Sequence, residues 1–152
     1  AFSVHPEAYQ AYEAVIKTVF GSLGLRHYEL VTLAAARAIG SRECLLAHGR
    51  KSLGVFDEAQ LVRIARDYRD AGLTEAEVAM MAFAERLSGD SASMTEEDSQ
   101  TLRDHGFTDR QILDIAMAAG ARNMYSRVLH ALGVRLDVPP GLTPELQAAL
   151  IG

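Results

Sequence analysis

The segment from Tyr28 to Ile39 is the feature that most constrains the fold, because only Glu29 and Arg37 within it are charged. A helix that is apolar on nearly every side has to be buried among other elements. The segment is far shorter than the roughly 20 residues that a helix needs to cross a bilayer. We therefore expect it to form the buried central helix of a globular fold, with Gly40 at its end.

The remaining chain carries helix signals rather than strand signals. Apolar residues follow Pro6 at helical spacing as far as Gly21, which we expect to end the first helix. Three later helices are predicted to begin at capping boxes, in which a threonine and a residue three positions on satisfy each other's free backbone N–H groups. These pairs are Thr74 with Glu77, Thr95 with Asp98, and Thr108 with Gln111. No long stretch alternates apolar and polar residues, so no strand is predicted.

These boundaries predict an all-α protein with about seven or eight helices. A helix from Arg42 to about Leu53 follows Ser41, which is placed to cap it, and a tail helix begins near Pro144. Residues 89–93 are the best candidate for an internal loop between two helical halves. The length of 152 residues fits a single domain spanning residues 1–152.

The composition excludes several classes of protein. Hydrophobic residues make up 49% and charged residues 23%, as in ordinary soluble globular proteins. The net charge of −5 argues against nucleic-acid binding. The single cysteine, Cys44, excludes a disulfide within the chain and a zinc site made only of cysteines. Neither a membrane-spanning stretch nor a signal-peptide pattern is found, so we expect a cytoplasmic protein that does not contact a membrane.

One group of residues has the spacing of a catalytic site. If Ser41 caps its helix, Cys44 occupies the third helical position, where free backbone N–H groups and the helix dipole favour a thiolate. His48 lies one turn later on the same helix face and can reach Cys44 directly or through one water. A carboxylate from Glu29, on the preceding helix, could then orient the imidazole. Together these residues would form a nucleophile–base–acid set.

Each of these residues also has a purely structural interpretation. A lone cysteine is often a small buried hydrophobe, Glu29 suits the helix dipole, and His48 could be a partly buried surface residue. A metal site of Glu29, His48 and His130 is conceivable by ligand type alone, but no spacing matches a structural zinc motif, so neither a metal nor a cofactor is predicted. Four methionines at helical spacing are expected to fill the core: Met80, Met81, Met117 and Met124.

The pattern around Cys44 resembles a known family. A glutamate twelve positions before Cys-x-x-Cys-x-x-x-His is typical of the alkyl hydroperoxidase D (AhpD)-like branch of the carboxymuconolactone decarboxylase superfamily. Here Glu29 lies twelve positions before Ser41, and residues 41–48, SRECLLAH, occupy that frame. Residues 94–98 (MTEED) and 106–114 (GFTDRQILD), with Asn123 and Arg127 ahead of residues 132–134 (LGV), resemble the peroxidase-related subgroup. The similarity covers roughly residues 6–137.

The resemblance implies an all-α, AhpD-like helical bundle, homo-oligomers such as dimers, trimers or hexamers, and thiol-based reduction of peroxides. It carries over Glu29, Cys44 and His48 as catalytic residues. Ser41 belongs to the same candidate set, but it stands where the family has the first motif cysteine. A serine cannot form the disulfide by which a neighbouring thiol resolves an oxidised cysteine. A cycle between two sulfurs within one chain is therefore impossible here.

Three functions remain open on the sequence alone. The first is a one-cysteine peroxidase, in which Cys44 reduces a hydroperoxide, His48 and Glu29 relay the protons, and an external thiol restores the cysteine. The second is a cysteine-independent acid–base enzyme of the decarboxylase type, acting on a small carboxylated substrate. Arg42 or Arg122 could hold that carboxylate, although both are also readily interpreted as surface ion-pair residues. The third is a non-catalytic oligomeric domain.

Overall fold

The computed structural model describes all 152 residues, from Ala1 to Gly152, and its regular elements are all helical. The seven α-helices are α1 (Pro6–Ile39), α2 (Arg42–Ser52), α3 (Glu58–Asp67), α4 (Glu75–Asp90), α5 (Glu96–Asp104), α6 (Asp109–Ala131) and α7 (Pro144–Ile151). Single 3-10 turns lie at Phe2–Val4, Tyr68–Asp70 and Ser91–Ser93. None of these helices combines the length and the apolarity needed to span a membrane. The predicted all-α class and number of helices are confirmed.

Helix α1 lies at the centre of the fold, and α2, α4 and α6 pack against it. Every residue from Tyr28 to Ala36 is buried, as the apolar pattern of this segment predicts. The helix ends at Gly40, which has a left-handed φ of 73° and donates its N–H back to the carbonyl of Ala36. A left-handed glycine is a common helix end because it lacks the Cβ that would clash there.

The prediction that Gly21 ends the first helix is wrong. Gly21 is helical, and the irregularity falls at Gly24, where φ is 74° and ψ is 166°. Only glycine adopts such angles at little cost. The bend joins two halves of α1, and side chains from both halves, such as Tyr12 and Glu29, line the cavity described below.

The predicted helix starts carry the expected capping contacts. Both reciprocal hydrogen bonds of the capping box are present at the starts of α4, α5 and α6. Two further helices also have a side-chain cap: Asp57 accepts the backbone N–H of Gln60 at the start of α3, and Thr143 accepts that of Leu146 at the start of α7. Each side-chain cap contributes about 1 kcal/mol. Local sequence therefore determines where these helices begin.

Helix α7 packs against α2 and α3, and Gly49 of α2 permits the first of these contacts. A Cβ at position 49 would collide with the side chain of Leu150. The two helices are close here because the glycine leaves room for the leucine. This contact holds in place the helix that carries Cys44 and His48.

The proposed division into two helical halves is not found. Helix α4 continues to Asp90, so residues 89–93 comprise the last two residues of α4 and the 3-10 turn that follows. Helix α1 packs against both α4 and α6, and α4 also packs against α6. These contacts join the chain before and after residues 89–93 in one packed arrangement.

The outer face of α6 is apolar and exposed. Met117 and Met124 are 43% and 53% exposed, so the expectation that all four methionines fill the core holds only for Met80 and Met81. The opposite side of α6 carries the buried residues, which leaves this face without a partner in the chain. A Cβ at Gly120 would meet nothing within 4 Å. We define the α6 stripe as Leu113, Met117, Gly120 and Met124.

Candidate active site

Helices α1 and α2 bring Glu29 and His48 into direct contact. Glu29 Oε2 lies 2.7 Å from His48 Nδ1, and the two residues are only 1% and 4% exposed. Glu29 is buried because it belongs to the apolar half of α1, and His48 faces it from the second turn of α2. A buried carboxylate and a buried imidazole at hydrogen-bond distance satisfy each other's polar atoms.

The environment determines how this pair is protonated. Burial raises the pKa of Glu29 from 4.5 to about 7, although the positive charges of Lys51 and Arg122 oppose this change. Burial, with the same two cations, lowers the pKa of His48 well below 6.5. At neutral pH His48 is therefore uncharged, and its Nδ1–H donates to Glu29. Its Nε2 makes no hydrogen bond within the protein and is left as a proton acceptor.

Cys44 occupies the third position of α2, as predicted, and is 2% exposed. Its Sγ accepts hydrogen bonds from Nη1 of Arg122, at 3.4 Å, and from Oγ of Ser126, at 3.2 Å. Both donors belong to α6. No hydrogen bond joins Cys44 to His48. The sulfur is therefore held by a guanidinium and a hydroxyl, which stabilise negative charge on it.

Arg122 is a buried cation without an acidic partner. It is 5% exposed, and no carboxylate lies within ion-pair distance of it, so its interpretation as a surface ion-pair residue is wrong. Its Nη2 lies 3.5 Å from the hydroxyl of Tyr28, and its guanidinium lies 5.2 Å from the ring centroid of Tyr125. Its Nε has no hydrogen-bond partner. Arg42, in contrast, is exposed on α2.

A cavity of about 630 Å³ brings these groups together, because Glu29, Cys44, His48 and Arg122 all line it. Its other lining is largely apolar and aromatic, with Tyr9, Tyr12, Phe20, Tyr28 and Tyr125. The volume lies within the range of pockets that bind small organic molecules. The arrangement can thus place an organic substrate against a sulfur and a proton-accepting imidazole.

Ser41 does not contribute a capping contact. It occupies the N-cap position of α2, but its side chain makes no cap hydrogen bond. The residue is fully buried, and its Oγ has no partner. It does not line the cavity that Cys44 and His48 share. The expected capping role is therefore wrong, and the residue stands apart from the groups that face the cavity.

The structure does not form the metal site that ligand type alone allowed, with Glu29, His48 and His130 as ligands. His130 is exposed at the end of α6, whereas Glu29 and His48 are buried in the core. No group of three or more histidine, cysteine, aspartate or glutamate side chains is arranged to hold a metal ion.

The sequence interpretation overlooked Ser126 and the burial of Arg122. The buried face of α6 follows a spacing of three and four residues, which includes Ile115, Ala119, Arg122, Ser126 and Leu129. Two of these positions carry polar side chains where the pattern calls for apolar ones. Buried polar side chains need partners, so this break in the apolar face is the signal that could have identified both residues.

Comparisons with known proteins find solved structures with a similar fold. No protein-family model and no curated protein matches the sequence. An uncharacterized peroxidase-related protein from Silicibacter sp. TM1040 is similar, with a TM-score of 0.81 and 28% identity over 90% of this chain and 74% of its own. A second one, described as an alkylhydroperoxidase AhpD core from Ralstonia eutropha JMP134, has a TM-score of 0.79 and 25% identity over the same shares.

A third similar structure is a protein of unknown function from Agrobacterium tumefaciens, suggested to be the antioxidant defence protein AhpD. Its TM-score is 0.78, with 26% identity over 91% of this chain and 96% of its own. The chain thus has an AhpD-like all-α fold. The three structures support the superfamily that the pattern around Cys44 indicates.

Proposed function

We propose that the protein is an AhpD-like, one-cysteine thiol peroxidase that reduces organic hydroperoxides through Cys44. The observation that carries this proposal is the position of the sulfur. Sγ accepts hydrogen bonds from Arg122 and Ser126 in the wall of a cavity large enough for an organic molecule. Hydrogen bonds from a guanidinium and a hydroxyl stabilise the negative charge that the sulfur carries when it attacks as a nucleophile. The Glu29–His48 pair lines the same cavity.

In the first half of the reaction, the thiolate attacks the terminal oxygen of the hydroperoxide. An S–O bond forms and the O–O bond breaks, so the sulfur loses two electrons to become a sulfenic acid and the peroxide is reduced to an alkoxide. The alkoxide needs one proton, which is the proton that the thiol gave up. His48 Nε2 can hold that proton in between, because ionised Glu29 stabilises the imidazolium through Nδ1–H. The lowered pKa of His48 favours its release.

An external thiol completes the cycle, because Cys44 has no second cysteine to resolve it. The first external thiol forms a mixed disulfide with Cys44, and the hydroxyl of the sulfenic acid leaves as water. A second external thiol attacks that disulfide, which regenerates Cys44 and releases the oxidised reductant. Thiols are kept reduced in the cytoplasm, so we propose that the protein acts there.

The direct test is to trap the sulfenic acid. Reduced protein would be mixed with equimolar cumene hydroperoxide and dimedone, which reacts with sulfenic acids, and its mass would be measured at short times. Trapping is needed because any of the five methionines could also gain one oxygen. We expect one dimedone adduct, on Cys44, that is absent from Cys44→Ser. Absence of the adduct from the wild-type protein contradicts the proposal and favours a non-catalytic domain.

Two variants and a control examine the roles of the neighbours. His48→Asn removes the proton acceptor and is expected to slow adduct formation by about 100-fold or more. Arg122→Met removes the charged donor to the sulfur and is also expected to slow it. Arg42→Met removes an exposed arginine from the same helix as Cys44 and is expected to change nothing. Equal rates in all three variants would refute the assigned roles.

One observation favours a second candidate function. The Glu29–His48 pair is complete without the sulfur, and Arg122 lacks a carboxylate partner. Both would serve an acid–base enzyme of the carboxymuconolactone decarboxylase type that acts on a small carboxylated substrate. Turnover of such a substrate that survives Cys44→Ala and is lost in His48→Asn would establish this function in place of the first.

We also propose that the chain forms homo-oligomers through the α6 stripe. A glycine inside a helix costs about 1 kcal/mol relative to alanine, and no contact within the chain requires Gly120 to lack a side chain. A second helix that crosses α6 closely at this point would require it. The exposed side chains of Met117 and Met124 on either side would then be covered.

A further inference from the structure

Arg122 is a buried cation whose charge the chain does not fully compensate. Its residue surface is 5% exposed, and this remaining surface lines the cavity. The buried carboxylate of Glu77, in contrast, accepts two hydrogen bonds from the guanidinium of Arg26. Burial of an unpaired charge is costly. A partner for Arg122 is therefore expected in the cavity.

The groups around the cavity do not supply that partner. Glu29 is engaged by His48, and neither Glu13 nor Glu43 forms an ion pair with Arg122. Cys44 contacts only Nη1 of the guanidinium. The contact from Nη2 to Tyr28 is long, at 3.5 Å, and Nε has no acceptor. The edge of the guanidinium formed by Nε and Nη2 thus has almost all of its hydrogen-bonding capacity left.

A second donor without a partner belongs to the lining of the same cavity. The hydroxyl of Tyr12 is buried without a hydrogen-bond partner, and the residue lines the same cavity. The rings of Tyr12 and Tyr125 are 5.4 Å apart, and the guanidinium of Arg122 lies over Tyr125. Burial raises the pKa of Tyr12, so its hydroxyl remains a donor. Two buried groups with unused N–H and O–H donors therefore flank one aromatic ring.

We infer that Arg122 and Tyr12 form a binding niche for the carboxylate of the substrate. The substrate is then an organic acid whose apolar body lies against the aromatic wall of the cavity. A planar carboxylate matches the two parallel N–H groups of the Nε–Nη2 edge, while Nη1 keeps its hydrogen bond to Cys44. This inference deepens the proposed function and rests on it in one respect, since the acid would carry the hydroperoxide that Cys44 reduces.

The test compares two probes of nearly equal shape, benzoate and benzamide, of which only benzoate is charged. Their binding to the reduced wild-type protein is measured by titration calorimetry at neutral pH. We expect benzoate to bind at least tenfold more tightly. Arg122→Gln is expected to abolish this preference, and Tyr12→Phe to weaken benzoate severalfold while leaving benzamide unchanged. Lys17→Gln and Lys51→Gln, which change exposed lysines of the cavity lining, are the controls and are expected to retain the preference.

Equal affinity for the two probes in the wild-type protein overturns the inference, and so does a preference that is lost in a lysine variant and kept in Arg122→Gln. Circular dichroism establishes whether Arg122→Gln is folded. If it is not, the wild-type comparison and Tyr12→Phe decide the matter without it. Neither measurement requires Cys44 to react. If the protein binds benzoate preferentially but forms no dimedone adduct, the niche is supported and the peroxidase function is refuted. If it forms the adduct but shows no preference for benzoate, the peroxidase function is supported and the niche is refuted.

Discussion

Glu29→Gln is the perturbation that most directly tests the protonation of the buried pair. The change keeps the size and the hydrogen-bond acceptor that faces His48 Nδ1, but it removes the possibility of a negative charge. Glu29 is 1% exposed and its pKa is raised by burial to about 7. The folded protein therefore keeps a proton on this side chain at pH values where the unfolded chain has released it.

The size and the sign of the effect follow from proton linkage. Between pH 4.5 and about 7 the native state binds one more proton at Glu29 than the unfolded state, so the free energy of unfolding falls as pH rises. Well above pH 7 the loss is complete and amounts to about 3 kcal/mol, most of which falls between pH 5 and pH 8. Glutamine has no such loss. It brings one additional buried N–H, at a cost of about 1 kcal/mol that does not depend on pH.

The assay is urea unfolding of the wild-type protein and Glu29→Gln at pH 5 and pH 8. We expect the variant to be slightly less stable than wild type at pH 5 and about 2 kcal/mol more stable at pH 8. Glu77→Gln is the matched control. Burial tends to raise the pKa of Glu77, but its hydrogen bonds from Arg26 and the backbone of Thr74 prevail and lower it. Its removal should therefore destabilise the protein by nearly the same amount at both pH values.

One outcome would refute the reasoning about the pair. If Glu29 and His48 were a charged pair, Glu29→Gln would leave a buried imidazolium without its partner and destabilise the protein strongly at pH 5. Any gain in the stability of Glu29→Gln relative to wild type between pH 5 and pH 8 would then come from the titration of His48 alone. His48→Asn, combined with Glu29→Gln, distinguishes the cases, because the pH-dependent gain from Glu29→Gln should persist when His48 is absent.

Three further predictions concern the site and the surface. Peroxide treatment of Ser41→Cys should give no dimedone adduct but a protein two hydrogens lighter than its reduced form. The reason is that a thiol three positions before Cys44 can form a disulfide with it. Met117→Glu should lower the molar mass measured by light scattering, whereas Val15→Glu, on an exposed face of α1, should not. The ratio of the wild-type to the Glu29→Gln rate of Cys44 oxidation should rise as pH increases through about 7 and then level off, because only ionised Glu29 stabilises the imidazolium.

The sequence predicted the elements well because helix starts and apolar faces are local properties. Three capping boxes and the buried segment of α1 depend on residues within a few positions of one another. The bend at Gly24 rather than at Gly21 could not be predicted in this way. Both glycines suit a break, and the choice depends on how the two halves of α1 pack.

The candidate site was predictable only within one helix. The spacing of Cys44 and His48 on α2 is local, but the distance from His48 to Glu29 depends on the packing of α1 against α2. The contacts of the sulfur with Arg122 and Ser126 depend on α6, which lies far along the chain. Ser41 shows the reverse limitation. Its position before α2 suits a cap, yet its hydroxyl is enclosed where no backbone N–H reaches it.

The geometry separates two tasks between different helices. In the proposed reaction, α6 supplies the donors that stabilise charge on the sulfur, and α1 with α2 supplies the carboxylate and imidazole that relay the proton. Because Ser41 is buried outside the cavity and contains no sulfur, oxidised Cys44 has to be reached through the cavity itself. Cys44 is 2% exposed, so a thiol on the surface of a folded protein cannot approach it without rearrangement of the cavity walls. In the proposed reaction, a small thiol that enters after the alcohol product has left would meet no such obstacle, so we propose a small thiol as the reductant.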